Sequence, residues 1–240
     1  MTQRIVQIFQ MQQARGDRVT RWLEAAGYEL DQRFPFRGDP LPDPADDHVA
    51  AVVYGGPQSA NDTTPQIRDE LAFIRSWTER DKPFLGLCLG AQLLAAAHGA
   101  PVGRRADGMI EAGYTPVHPD AAGRELLPEP MPFYQWHTEG FELPVGAERI
   151  ATGDRFPNQG FRLAPRIYGL QFHPETTVSI FSAWITEAGH MLELPGAQPR
   201  EAHFQQALVN EDRVAGWLDG FMRHWLGDVP ATRAVEQEDA

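Results

Sequence analysis

Cysteine is nearly absent from this 240-residue chain, Cys88 being the only one. A lone cysteine excludes an internal disulfide and any zinc site built from several thiolates. Long apolar runs are missing too. No stretch approaches a membrane-spanning helix, and the start Met1-Thr2-Gln3-Arg4 lacks the apolar core of a secretory signal. Basic residues are outnumbered, 21 Lys and Arg against 33 Asp and Glu, for a net charge of −12. That balance excludes the basic face of a general nucleic-acid binder. The histidines lack the HExxH spacing of a helical zinc site, so no metal and no cofactor is expected. A reactive thiol suits a reducing compartment, and a cytoplasmic location is expected.

What is there is an ordinary globular composition, 42% hydrophobic, enough for one substantial core at this length. The single cysteine stands in Phe84-Leu85-Gly86-Leu87-Cys88-Leu89-Gly90-Ala91-Gln92, after an apolar run and before an alanine- and leucine-rich helical pattern. Glycines two residues to either side permit a strained strand-to-helix turn that lifts the side chain clear of a sheet. The helix that follows directs amide N–H groups and its positive dipole end at the sulfur, which favours thiolate. The same stretch is also compatible with a buried thiol packing as a small hydrophobe.

A second motif lies downstream. Ile167 to Phe172 reads as a short strand running into His173-Pro174-Glu175. Pro174 forces His173 into an extended conformation, and side chains two apart in an extended chain share a face. Imidazole with an orienting carboxylate is the base half of a Cys-His-acid triad, although a surface His-Pro-Glu turn fits these three residues as well. His137 and Glu139, in Gln135-Trp136-His137-Thr138-Glu139, repeat the two-residue spacing.

Along the chain, strands at Arg4–Phe9, Tyr28–Arg33, Val49–Tyr54 and Phe84–Leu87 alternate with helices at Asp17–Ala26 and Pro65–Arg80. Alternation of this kind predicts an α/β fold, a mostly parallel sheet covered on both faces in three layers. Shorter β-like pieces follow near Ile110–Val117, Phe133–Gln135 and Arg149–Thr152, then helices at Val178–Glu187 and Val214–Leu226. Residues 1–228 are expected to form one domain, and the acid-rich 229–240 a frayed tail.

Gly86, Cys88, Gly90 and Gln92, followed by Phe172, His173, Pro174 and Glu175, resemble the class I glutamine amidotransferases. The family carries a G-x-C-x-G-x-Q elbow and a later F-H-P-E. Val52 to Ser59, with Gly55-Gly56-Pro57, resembles the turn after the third strand in the branch near the amidotransferase domain of GMP synthase. The likeness runs from about Arg4 to about Ile180.

It implies a flavodoxin-like fold with a small antiparallel insertion, and a reaction in which Cys88 attacks the γ-carboxamide of glutamine. His173 and Glu175 would complete the triad, and the N–H groups of Gly56 and Leu89 would form the oxyanion hole. Gln92, His137 and Glu139 would line the substrate side. Glu111-Ala112-Gly113 matches a family element only loosely, and Asn158-Gln159-Gly160-Phe161 resembles a stretch of free-standing relatives without an evident role. The chain has no length for a synthetase after this region, so released ammonia is expected to need a partner subunit as acceptor. The alternatives are a γ-glutamyl peptidase acting on small γ-glutamyl compounds and a catalytically silent binding or regulatory subunit.

Overall fold

The computed structural model describes residues 2–12 and 16–227; the expected tail at 229–240 lies outside them. In chain order the elements are β1 (Arg4–Ile8), α1 (Arg18–Ala25), β2 (Glu29–Arg33), β3 (Ala50–Val53), α2 (Pro65–Thr78), β4 (Phe84–Leu87) and α3 (Leu89–Ala97). Then come β5 (Val102–Arg104), β6 (Glu111–Pro119), β7 (Met131–His137), β8 (Glu139–Phe141), β9 (Glu148–Gly153), β10 (Gly160–Ala164), β11 (Ile167–Leu170), α4 (Val178–Glu187) and α5 (Arg200–Leu226).

Among the described residues, nine strands form one mixed sheet in the order β2-β1-β3-β4-β11-β10-β9-β6-β7. The strands β2, β1, β3, β4 and β11 run parallel. The antiparallel strands β10, β9, β6 and β7 continue the same sheet, and β5 and β8 make a separate two-stranded ribbon.

Successive residues of the central strands face opposite sides, as the two-residue repeat of a strand requires. Ile5, Val52 and Leu87 pack on one face with Leu23 of α1 and Leu218, Phe221 and Trp225 of α5. Val6, Val53 and Phe84 pack on the other with Trp77 of α2 and Leu93 and Leu94 of α3. That gives the three layers expected. A third cluster, with Tyr114, Tyr134, Phe181, Trp184 and Ala207, ties α4 and the first half of α5 to the antiparallel strands.

Helix starts follow their caps. The Asp17 carboxylate accepts from the Thr20 N–H at α1, and Thr64 Oγ1 accepts from Ile67 N–H ahead of Pro65 at α2; such caps are worth about 1 kcal/mol each.

One element is longer than the sequence pattern suggests. The last helix begins at Arg200 and not near Val214. Its first half buries a narrow stripe of His203, Ala207 and Asn210, while Leu208 and Val209 point to solvent. The apolar residues there do not mark the buried face, so hydrophobic periodicity misses the start.

Candidate active site

The parallel register decides what meets at the C-terminal edge of the sheet. Leu87 of β4 pairs with Leu170 of β11, and Val53 of β3 pairs with Gly86 of β4. The next residues of three neighbouring strands are therefore Gly55-Gly56, Cys88 and Gln171-Phe172-His173. Crevices at strand carboxyl ends are where α/β sheets hold ligands.

Cys88 joins β4 to α3 with φ of +50°, in the left-handed region that L-residues with a side chain seldom enter. Its N–H donates to the Leu170 carbonyl at 2.8 Å, and its carbonyl accepts from the Ala91 and Gln92 N–H groups. The flanking glycines are required by contact. A Cβ on Gly86 would lie 2.4 Å from the Gly90 carbonyl oxygen, and one on Gly90 would lie 2.0 Å from the Val53 carbonyl oxygen. Leu89 opens α3 and contributes one of the first-turn N–H groups that have no acceptor within a helix. Gly55 keeps the crossing open, since a Cβ there would stand 3.0 Å from His173 Cε1 and 3.2 Å from Cys88 Cβ.

His173 and Glu175 meet as the motif implied. His173 Nδ1 lies 2.7 Å from Glu175 Oε1, with both side chains buried. The His173 main-chain N–H donates to the Tyr134 carbonyl at 2.9 Å, which anchors this segment to the antiparallel half of the sheet. Its Nε2 is buried and finds no conventional hydrogen-bond partner among the described residues. Burial alone would lower the imidazole pKa, but the negative charge of Glu175 and the neighbouring Cys88 sulfur outweigh it and raise it to about 10. Glu175 is held from behind: its carbonyl accepts from the Arg18 N–H at 2.8 Å, and Arg18 pairs with Glu211 of α5 at 2.5 Å.

A cleft of about 600 Å³ opens over Cys88, and Gly56, Leu89, Gln92, His137, Glu139 and His173 all border it. Gln92 Nε2 donates to the Glu139 carbonyl at 2.8 Å and to Gln171 Oε1 at 3.2 Å. Gln171 Nε2 in turn donates to Cys88 Sγ at 3.6 Å. The Glu139 carboxylate accepts from the Ser59 hydroxyl at 2.8 Å.

His137 differs from the sequence pattern in its partner. Glu139 meets it through the main-chain carbonyl, at 2.8 Å from Nδ1, and the carboxylate on Nε2 at 3.0 Å is Glu111. Glu111 Oε2 also accepts from Gln159 Nε2 at 2.8 Å, and Gln159 Oε1 accepts from Gln135 Nε2 at 2.8 Å. Glu111, Gln135, Gln159 and Gln171 thus stand buried behind the residues that border the cleft, and sequence reading did not assign them. The loose Glu111-Ala112-Gly113 match and the Asn158-Gln159 stretch were the available signals; Asn158 Nδ2 donates to the Phe141 carbonyl at 2.8 Å. No group of three His, Cys, Asp or Glu able to hold a metal occurs among the described residues.

The family model described as glutamine amidotransferase class-I matches residues 16–189. The chain belongs to the class I glutamine amidotransferases. It is 30% identical over 188 residues to the glutamine amidotransferase-like protein YfeJ of Salmonella typhimurium, covering 74% of this chain and 77% of that one. It is 32% identical over 134 residues to the glutamine-hydrolyzing GMP synthase of Listeria monocytogenes. That match covers 54% of this chain but 24% of the synthase, so the likeness spans about a quarter of the larger protein.

Among solved structures, a glutamine amidotransferase of Thermotoga maritima superposes with a TM-score of 0.84 at 27% identity, covering 95% of this chain and all of that one. A glutamine amidotransferase of Methylobacillus flagellatus gives a TM-score of 0.88 at 23% identity over the whole of both chains, a likeness of fold. The family is flavodoxin-like, as the sequence implied. Among the described residues no helix is long and apolar enough to cross a membrane.

Proposed function

We propose that the protein hydrolyses the γ-carboxamide of glutamine through a γ-glutamyl thioester on Cys88. The observation that carries this reading is the strained Cys88 turn beside a buried His173-Glu175 pair whose Nε2 makes no conventional hydrogen bond among the described residues and neighbours the Cys88 sulfur. Imidazolium and thiolate stabilise one another in that arrangement, and the thiolate is the nucleophile. Attack on the amide carbonyl drives its oxygen toward the N–H groups of Leu89 and Gly56. Each such donor contributes on the order of a hundredfold or more in rate. His173 gives its proton to the departing nitrogen as the C–N bond breaks, then takes one from the water that cleaves the thioester. Glu175 keeps the ring oriented. Gln92 and Glu139 hold the amino-acid end, and His137, whose two nitrogens are engaged, supports that wall. Ammonia leaves to solvent or to the acceptor site of a partner subunit, and a reducing, cytoplasmic setting keeps the thiol active.

The test is release of ammonia and glutamate from L-glutamine by the purified protein. Release that disappears in Cys88→Ala supports the reading. An equal rate in that variant sinks it, because the reaction would then not run through Cys88. A second reading, cleavage of a larger γ-glutamyl amide by the same triad, is favoured by a cleft far roomier than one glutamine.

A further inference from the structure

The residues bordering the cleft fall into two chemically unlike groups, both reaching Cys88. In one stand Gln92, Thr138 and Glu139, with Arg104, the one arginine or lysine bordering the cleft among the described residues. This group is tied to the nucleophile through Gln92, Gln171 and the sulfur. In the other is His173, and against its ring stands Trp184, edge-on with centroids 4.9 Å apart. Trp136 lies beside Trp184 at 6.3 Å, and Met11, Met191 and Leu194 complete an apolar wall.

The alternation of β7 makes the division. Trp136 turns toward Tyr134, Trp184 and His203, while the adjacent His137 turns toward Glu111 and Phe156.

Protonation by an imidazole fixes which half of a substrate lies where. The departing nitrogen must come within hydrogen-bond reach of His173 Nε2, so whatever it carries extends along the His173 side. The charged α-amino acid half then occupies the Arg104 and Glu139 side, where a carboxylate and an ammonium both find partners. Glutamine, which releases bare ammonia, would leave the tryptophan wall without a ligand. A cleft of about 600 Å³ falls within the roughly 300–1,000 Å³ usual for small-molecule sites.

We propose that the Trp136–Trp184 wall is a subsite for the amine half of the substrate, and that this substrate is a γ-glutamyl amide of a primary amine carrying an aromatic or apolar group. The inference rests on the hydrolytic reading above. Cys88 sulfur bonds to the γ-carbonyl carbon as the C–N bond breaks, the free amine leaves with the His173 proton, and water then cleaves the thioester to glutamate. The outer rim also carries Glu187 and His190. A diamine could meet Glu187, but the wall nearest His173 is aromatic, which puts the first atoms beyond the nitrogen against rings.

The test uses four compounds, L-glutamine, γ-L-glutamylglycine, γ-L-glutamylputrescine and γ-L-glutamyl-2-phenylethylamide. Turnover is measured with the full chain and binding with Cys88→Ala by calorimetry. The phenylethylamide is expected to bind at least about tenfold more tightly than glutamine and to lead in kcat/KM by a similar factor, the scale of one well-filled apolar pocket. Trp136→Ala should shrink the ratio of its kcat/KM to that of glutamine by about tenfold, and Trp136→Phe, which keeps a ring, should restore most of it.

Equal binding of the phenylethylamide and glutamine, a lead for the putrescine compound, or a ratio unmoved in both tryptophan variants overturns the subsite while leaving glutamine hydrolysis untouched. Tight binding without turnover of any compound sinks the hydrolytic reading itself, and with it the claim that the compound is a substrate.

Discussion

His173 and His137 are both buried, both stand at or just past the end of a strand, and both touch a buried carboxylate, at 2.7 Å to Glu175 and 3.0 Å to Glu111. They differ in the second nitrogen. At His137 it is spent on the Glu139 carbonyl; at His173 it makes no conventional hydrogen bond among the described residues and neighbours the Cys88 sulfur. The backbone around them differs in the same sense. His173 stands past the end of the parallel strands, beside a turn held at positive φ, whereas His137 ends a regular antiparallel strand in an interlocked row of amides. A saturated network rigidifies, while an unsatisfied polar atom in a strained setting is what chemistry requires. Residue types alone do not separate the two pairs.

Removing each ring in turn sets the two sites furthest apart. On the proposed mechanism, His173→Ala should lower glutamine kcat/KM by about 10⁴-fold or more, since it removes the group that would carry the proton. His137→Ala should lower it by about a hundredfold at most, through displacement of the Glu139 segment, and should cost stability as well. Steady-state ammonia release with thermal melts on both variants checks this; equal losses of activity would end the distinction.

Glu175→Gln sharpens it further. The carboxylate holds the His173 imidazolium up to a pKa of about 10, so the alkaline limb of kcat/KM should fall near that pH. Without the negative charge the limb should move down by about one to three pH units, with a rate loss on the order of 10³ to 10⁴. The stability sign follows from the same shift. A raised histidine pKa contributes stability that is complete below about 6.5 and lost as pH rises through about 10. Urea midpoints between pH 6 and 10 should therefore fall more steeply in the wild type than in Glu175→Gln. A limb unmoved by the substitution would detach Glu175 from the proton on His173.

Glu111→Ala addresses the other pair. It strips the acceptor from His137 Nε2 and from Gln159 Nε2, two buried donors at about 1–3 kcal/mol each. The expected result is a lower urea midpoint with turnover reduced far less than in His173→Ala. Unchanged stability would show that the row of amides does not depend on its acid.

Legibility from sequence tracks this contrast. Cys88 with Gly86 and Gly90, and His173 with Pro174 and Glu175, could be read because the geometry they impose is local, a turn in one case and an extended tripeptide in the other. Glu111, Gln135 and Gln159 could not, because Glu111 lies on β6, Gln135 on β7 and Gln159 just before β10, and they meet only through tertiary pairing. His137 looked like a second His-x-Glu motif, yet its carboxylate partner lies across a strand pair. The strands β5, β8 and β10 carry little periodicity in three to five residues each. The parallel half announced itself through runs such as Val49 to Tyr54, which are apolar because both faces are covered.

A third acid behind the site gives the smallest effect and the finest test. Asp17 caps α1, accepting from the Thr20 N–H at 2.9 Å and from the Thr20 hydroxyl at 2.6 Å, with the Tyr54 hydroxyl at 3.2 Å. Burial raises its pKa above 3.8, its hydrogen bonds from Thr20 pull the other way, and the charge of Glu175 adds to the rise. The ionised form is therefore penalised by folding, unlike that of a surface carboxylate.

Asp17→Ala loses the cap and should cost about 1 kcal/mol. Asp17→Asn keeps an acceptor for the Thr20 N–H and sheds the buried charge, so at pH 7 its stability should stay within about 0.5 kcal/mol of the wild type. As pH falls through the raised pKa the wild type should gain on Asp17→Asn, and the gap should flatten below 3.8. Urea denaturation of both variants across that range decides it. An Asn variant as unstable as Ala at pH 7 would mean that the second carboxylate oxygen, bound to the Thr20 hydroxyl, outweighs the charge it carries.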